Sequence, residues 1–505
     1  MLPFTRAVVP KYCSGFFCHP SKLYSTCKTC DDPKQSYQLL IIGGGSAGMA
    51  LSAYFSRKLG PGRVGVVESS QMHSFQPLWT LVGGGLNRLD KASKPMGHLF
   101  HNNCTWIPDH LKTFVPEKNY VITQTEKEIK YDYLVVAMGI TPRLDMVKGL
   151  TQALETPGVC SIYYGEGSVK TYESAKRLQK GNALFTFPST PIKCAGAPQK
   201  IMYLTEELFR NTGRRDQYHV QYNNALGVMF SVPVYAKTMV KVAERKGIHV
   251  NYFHDLVEVD WKNRIAKFRV KSSNEDVEKI QDFPYDFLHV APPFSAPDNL
   301  RMCTELVDSA GYLNVDPYTL QHKKYPNIFG IGDCANLPTS KTLAAISKLH
   351  FSSRSCWSMT ITNESHFPRS QSQSHSNLHS QLPKTSNWSP DQQSRLHFQI
   401  FGSHQFQILY NGYTSCPLIT SHNTVVMAEF GYDGKLLETL PINQNKERHT
   451  LFYVATKLMP QIYWRLHVND NNDMMCVIND KICVIRTQFP VSRSSVVENI
   501  LNVHL

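Results

Sequence analysis

At 505 residues the chain is long enough for two to four domains of ordinary size, and its 42% hydrophobic and 18% charged composition excludes both a fibrous and a wholly disordered protein. Thirteen cysteines are too sparse for a disulfide-stapled secreted scaffold, and no glycine-free apolar run of about 18 residues is present to span a membrane. The net charge of +13 permits an anionic partner or surface without naming one.

The chain begins with a segment that reads as an address. Residues 1–30 carry Arg6, Lys11, Lys22 and Lys28, several Ser and Thr, and no Asp or Glu. This pattern predicts a mitochondrial transit peptide over residues 1–35, and the lack of a continuous apolar stretch argues against secretion. Cys13, Cys18, Cys27 and Cys30 lie here too, but no second pair at metal-binding spacing follows, so no metal is expected.

The next elements predict a dinucleotide-binding unit. The run Gln38–Ile42 reads as a buried strand, Gly43, Gly45 and Gly48 form GxGxxG, and Met49–Phe55 continue as an apolar helix. Gly60, Pro61 and Gly62 stop that helix, and Val64–Val67 form a second strand ending in Glu68, 20 residues after Gly48. Glycines permit close backbone approach, the helix N-terminus faces a pyrophosphate, and an acid at this distance can hold ribose hydroxyls. Two later segments separate FAD from NAD. Tyr131–Gly139 is a strand ending in a small-residue turn before Pro142, and Asn327–Asp333 is a strand ending in Gly-Asp. In flavoproteins with two dinucleotide domains such a turn returns the chain to the FAD domain, and such an Asp reaches the ribityl chain. FAD is therefore the expected cofactor.

Between these pieces, Asn182–Phe187 reads as the first strand of a second βαβ unit. An NAD(P)H-using relative would place another GxGxxG directly after it. This chain has Pro188, Pro191, Lys193, Cys194 and Pro198 there, followed by a helix over roughly residues 201–210. A thiol replaces the pyrophosphate cradle, and Lys193 with the following helix amides would favour its thiolate. Disulfide chemistry needs a second sulfur. The FAD helix carries no Cys-x4-Cys pair, so a remote partner is required. Cys416, within Gly412–Pro417, is the best candidate on its surroundings, although spacing alone does not pair residues 194 and 416. Cys104, Cys160, Cys303, Cys334 and Cys356 are read as structural.

With these motifs in place the chain closely resembles the mitochondrial sulfide:quinone oxidoreductase family. The matching phrases are Gly43–Gly48, Phe75–Gly83, Lys193–Tyr203, Tyr325–Asn336, Leu337–Thr342 and Gly412–Leu418, and the resemblance covers about residues 36–347 and 408–464. It implies an α/β protein with two Rossmann-like domains: an FAD-binding domain in two parts, 36–150 and 291–347, around a second unit at 151–290, then a segment 408–464 bearing the second redox cysteine. It implies that hydrogen sulfide attacks a sulfur-bridged Cys194–Cys416 pair and leaves a persulfide on Cys416. Freed Cys194 then adds to the flavin and delivers two electrons, which pass to ubiquinone, and glutathione or sulfite accepts the sulfane sulfur. The implied FAD contacts are Ser46 and Ala47 at the pyrophosphate, Glu68 at the ribose, Gln76, the Leu111 backbone, Asp333, and Lys341, Thr342, Leu343 and Ala344 at the start of a flavin-facing helix. Lys341 is expected to stabilise the anionic reduced flavin. The implied location is the matrix face of the inner mitochondrial membrane, with no nucleic-acid partner.

Two stretches depart from the family. Residues 348–407 replace the rest of the flavin-facing helix; positions 351–400 hold 13 Ser against two acids, Glu364 and Asp391, and are expected to be disordered. Residues 465–505 lack the sustained amphipathic face that would seat the enzyme on a membrane. Both read as products of a splicing variant or a faulty gene model, with the flavin-facing helix cut short. The rival readings are an NAD(P)H:quinone reductase of the same architecture, and a flavoprotein that binds FAD without turnover.

Overall fold

The structure, a computed structural model, describes residues 36–272, 275–363 and 409–464. The expected transit peptide, the expected disorder over 364–407 and the tail after Trp464 lie outside the described residues.

Leu39–Ile42, Val64–Val67 and Leu134–Val136 are runs of apolar residues with no polar alternation, which suits strands covered on both faces. They form the centre of a parallel sheet in the order Cys104–Ile107, Val64–Val67, Ser36–Ile42, Glu128–Val136, Ile328–Gly330. The outer half of Glu128–Val136 continues into an antiparallel extension, Tyr120–Thr123 and Leu111–Val115. The helix Ser46–Leu59 buries Leu51 and Phe55 against this sheet, in one core with Leu349, Trp357 and Ile361 of the later helix Leu343–Asn363.

A second parallel sheet runs Val159–Cys160, Phe287–His289, Gly181–Phe187, Tyr218–Asn224, His249–Tyr252. The helix Ala197–Asn211 follows its central strand, and an antiparallel ribbon of His254–Asp260, Ile265–Ser272 and Glu275–Pro284 flanks it. The chain passes between the sheets through the paired segments Thr141–Pro142 and Phe294–Ser295. The fold is thus α/β with two Rossmann-type sheets. A hairpin, Thr414–Ile419 with Val425–Phe430, packs one face into the second core through Leu418, Val426 and Phe430. Its other face, through Ile419 and Val425, meets Met49, Phe75 and Leu204.

One expectation is corrected. The flavin-facing helix does not stop near residue 347 but continues to Asn363. Leu349, Trp357 and Ile361 lie along one stripe of it and are buried. The Trp357 ring stacks 4.6 Å from Phe329, and its indole donates to the Thr319 carbonyl at 3.0 Å. The buried Ser353 is accommodated because its hydroxyl bonds back along the helix, to the His350 carbonyl at 2.9 Å. Composition averaged over the segment hid three well-spaced apolar anchors.

If this helix is part of the core, Trp357→Ala should destabilise the protein by about 3–5 kcal/mol, seen as an earlier urea midpoint. A loss under about 1 kcal/mol would place residues 348–363 outside the core.

Candidate active site

Three parallel strands, ending at Ile42, Val136 and Gly330, aim their C-terminal ends at one opening. Gly43, at φ 102°, lies so close to the neighbouring strand that a Cβ would sit 2.5 Å from the Ala137 carbonyl oxygen. Glu68 braces the same loop: one carboxylate oxygen accepts from the Gly44 amide at 2.8 Å, the other from the Ser70 amide at 2.8 Å. A Cβ built on Gly45 or Gly139 meets nothing within 4 Å, so the two turns border open space. A helix N-terminus at Ser46 and Ala47, a braced acid and bare glycines fit an extended dinucleotide such as FAD.

The other expected cofactor residues are distributed around this opening. Burial pushes the Asp333 carboxyl up, and the Lys341 and Lys193 ammonium groups oppose that rise. Lys341 donates to the Asp333 carbonyl at 2.6 Å and the Ala335 carbonyl at 3.3 Å, and sits 4.6 Å over the Tyr312 ring. Its charge therefore holds the Gly-Asp loop. Thr342 caps the helix, accepting from the Ala345 amide at 3.1 Å. This leaves the helix start at Leu343 and Ala344 as the anion-favouring feature. Gln76 is exposed and accepts from Lys193 at 3.1 Å. Leu111 opens its strand, and its carbonyl accepts from Asn299 at 2.9 Å.

Cys194 and Cys416, 222 positions apart in sequence, lie with their sulfurs 3.5 Å apart. Several local features bring them together. The Cys194 backbone takes φ 48°, and its amide donates to the Lys341 carbonyl at 2.7 Å, tying it to the start of the flavin-facing helix. Thr414, two residues before Cys416, lies 2.7 Å from the Thr342 hydroxyl and so docks its strand on the same helix start. At Gly196, a Cβ would lie 2.5 Å from both the Cys416 sulfur and a Leu418 methyl. The hairpin thus covers the N-terminus of Ala197–Asn211, where a second pyrophosphate would bind. The adjacent strand ends in Asn223 and Asn224 instead of an acid, and Asn224 is engaged with Leu226 and Val228.

Lys200, which the sequence reading passed over, is the cation at the sulfurs. Its ammonium is buried 3.3 Å from the Cys194 sulfur. Lys193, the expected partner, instead turns to Gln76 and stands 5.9 Å over the Phe294 ring. The hydrogen bond with Cys416 and the Lys200 charge outweigh desolvation and bring the Cys194 thiol down to about 5. The bond to Cys194 and burial raise Cys416 well above the ordinary thiol range. Burial alone would lower Lys200, but the Cys194 and Cys416 charges hold it up. The arrangement is one thiolate, one thiol and one ammonium. Among the other thiols, burial pushes Cys104 and Cys160 up to about 12 and Cys334 to about 11, consistent with inert side chains.

Comparison with known proteins supports a family assignment. Residues 37–185 match the pyridine nucleotide-disulphide oxidoreductase family model. The chain is 38% identical over 437 residues to the mitochondrial sulfide:quinone oxidoreductase of Mus musculus, covering 86% of this chain and 87% of that one. It is 36% identical over 434 residues to the same enzyme of Dictyostelium discoideum, covering 85% and 86%. In fold it is similar to the crystal structure of the sulfide:quinone oxidoreductase from Aquifex aeolicus, with a TM-score of 0.63 at 16% identity, covering 86% of this chain and 92% of that one.

In the reduced protein, alkylation of Cys194 by iodoacetamide should be nearly independent of pH above about pH 7 and fall off toward about 5. Lys200→Met should move that inflection upward by about one unit or more. An inflection near the ordinary thiol value of about 8.5 in the unmodified protein would contradict the thiolate.

Proposed function

The chain belongs to the mitochondrial sulfide:quinone oxidoreductase family, FAD-dependent enzymes that oxidise sulfide with quinone as electron acceptor, and we propose that it does so through Cys194 and Cys416. The observation that carries this reading is the 3.5 Å approach of the two sulfurs. That gap is about 1.5 Å longer than an S–S bond, so a bridge can form with little movement.

In the bridged state, hydrosulfide attacks the sulfur on Cys416, a new S–S bond makes the Cys416 persulfide, and Cys194 leaves as its thiolate. The asymmetry of the pair favours this direction, because the thiol of lower pKa is the better leaving group and Lys200 lies beside it. A small thiolate such as that of glutathione, or sulfite, then takes the outer sulfur, and Cys416 leaves as a thiolate that takes up a proton to restore its thiol. Closing the bridge between this thiol and the Cys194 thiolate releases two electrons and one proton. The chemistry FAD supplies when bound is acceptance of that electron pair and its delivery to quinone, here ubiquinone. Ser46, Ala47, Glu68, Gln76, Leu111, Asp333 and Lys341–Ala344 would hold it, with the start of the helix Leu343–Asn363 favouring added negative charge.

The hairpin over Gly196 disfavours a nicotinamide nucleotide in the second unit, which weakens the reductase alternative. The case for a flavoprotein without turnover rested on an interrupted helix and on the tail after Trp464; that helix continues to Asn363, and the tail lies outside the described residues.

Docking is proposed on the matrix face of the inner membrane. The helical residues 449–463 expose Tyr453, Leu458 and Met459 beside Lys457, an apolar set with a cation suited to an anionic lipid surface. This element precedes Trp464, whereas the sequence reading looked for it afterwards. Among the described residues, no helix is long and apolar enough to cross a membrane.

Two measurements test these proposals. In anaerobic stopped flow, sulfide should bleach the flavin of the wild type rapidly and leave Cys194→Ser and Cys416→Ser oxidised; unimpaired reduction in both would refute the cysteine mechanism. Leu458→Asp with Met459→Asp should lower co-sedimentation with cardiolipin-containing vesicles at least tenfold, and unchanged binding would remove this surface as the docking site.

A further inference from the structure

Near the dinucleotide loop, the last described turn of the chain makes a contact that the redox chemistry does not use. The Tyr463 hydroxyl lies 2.8 Å from the Ser46 hydroxyl and 2.5 Å from Nε2 of His73, and Nδ1 of His73 lies 3.1 Å from the Gly44 carbonyl. Tyr463 and His73 are both buried. The Tyr463 ring packs at a tilt against Phe75, with centroids 4.4 Å apart, and the next residue, Trp464, carries Lys94 at 4.7 Å over its face.

Donor and acceptor chemistry orders the chain of bonds. A carbonyl only accepts, so Nδ1 of His73 carries a proton toward Gly44. Burial holds the imidazole well below its ordinary value, at about 4, so the ring is neutral and Nε2 is an acceptor. Tyr463 must then donate to Nε2, and its oxygen accepts from Ser46. The sequence runs Ser46 to Tyr463 to His73 to Gly44, joining both sides of the glycine turn through the C-terminal segment. With its proton directed to Tyr463, the Ser46 side chain shapes the loop, and the backbone amides of the helix start are left to face a phosphate.

We propose that Tyr463 is a positioning residue for the cofactor: by bridging Ser46 and His73 it holds the glycine loop in its pyrophosphate-binding shape, so that retention of FAD depends on the C-terminal segment being seated. This rests on the reading of that loop as an FAD site. The same stretch, residues 449–463, carries the exposed apolar side chains proposed to meet the membrane, so the surface that docks and the loop that grips the cofactor share one element.

The test uses full-length holoenzyme and follows FAD release by the rise in free-flavin fluorescence after dilution. Tyr463→Phe, which removes one oxygen and keeps the ring, should release FAD about five to thirty times faster than wild type. Ser46→Ala should also speed release, and the double variant should release little faster than Tyr463→Phe alone, because that change already removes the bond to Ser46. Gln461→Ala, exposed on the same turn, should match wild type. The melting temperature of Tyr463→Phe should fall more in the holoenzyme than in the apoprotein. Wild-type retention in Tyr463→Phe would overturn the proposal while leaving the FAD site intact. Faster release with an equally lowered apoprotein melting temperature would reduce Tyr463 to a packing residue and also overturn it. A wild-type protein unable to bind FAD would remove both this proposal and the reading beneath it.

Discussion

A side chain at residue 196 would have nowhere to go: its first carbon would stand 2.5 Å from the Cys416 sulfur and from Leu418. Much of the site follows from that bare backbone. Because the hairpin can press against it, Cys416 reaches a sulfur that is 222 residues away in sequence, and the helix N-terminus beneath it is closed to a second nucleotide. The same helix start carries Lys200 one turn further on, on the side that faces the sulfurs. A larger residue at 196 would separate the thiols, reopen the helix end and leave a buried ammonium without its anion, so these features are mechanically coupled.

Burying a lysine costs several kcal/mol unless its charge is answered in place. Here the answer is a thiolate, itself stabilised by the ammonium and by a thiol donor, so each partner makes the other's ionised state tolerable. The arrangement is sensitive to redox state. When the sulfurs are bridged the thiolate disappears, and the Lys200 ammonium then faces neutral sulfur in a buried setting. On the proposed mechanism that state suits an incoming anion such as hydrosulfide, whose attack would restore a negative charge beside the ammonium. The pair would then favour both the approach of the nucleophile and the departure of Cys194.

How much of this was legible from the residues depended on the range of the interaction. The strand, glycine turn, helix and acid of residues 38–68 are encoded within thirty positions by apolar runs and turn chemistry, and the observed elements follow that reading closely. The pairing of Cys194 with Cys416 is not local; motif context suggested it, and nothing in the spacing could. Lys193 is the cation that adjacency in sequence suggests for the thiolate, and adjacency in sequence is not adjacency in space here. The backbone at Cys194, at φ 48°, turns sharply just before the helix, and this sends Lys193 toward Gln76 and brings residue 200 under the sulfur. The continuation of the helix through residues 348–363 was missed for a different reason: serine content was weighed as an average, while three apolar residues on one stripe decided the outcome. The hydroxyl of Tyr463 carried no signal at all without the fold, since its partners lie some 390 and 417 positions away.

Both Rossmann-type units end their central strand at a helix N-terminus, and an N-terminus favours an anion whatever its chemistry. In the first unit a Cβ on Gly45 would meet nothing within 4 Å, so the turn before Ser46 borders open space suited to a diphosphate. In the second unit the Gly196 backbone contributes to holding the Cys194 thiol low, while the Ala197 amide donates to the Cys194 carbonyl at 2.7 Å. The anion at the second helix is therefore a sulfur of the chain itself, not a diffusible nucleotide. On the proposed mechanism the substitution changes the source of electrons without changing the electrostatic device. A phosphate-binding turn needs several glycines in succession, whereas a thiolate needs one backbone position bare enough to admit a partner sulfur. This accounts for a second unit that keeps the strand order and helix of a nucleotide fold while prolines and a cysteine stand where its fingerprint would be.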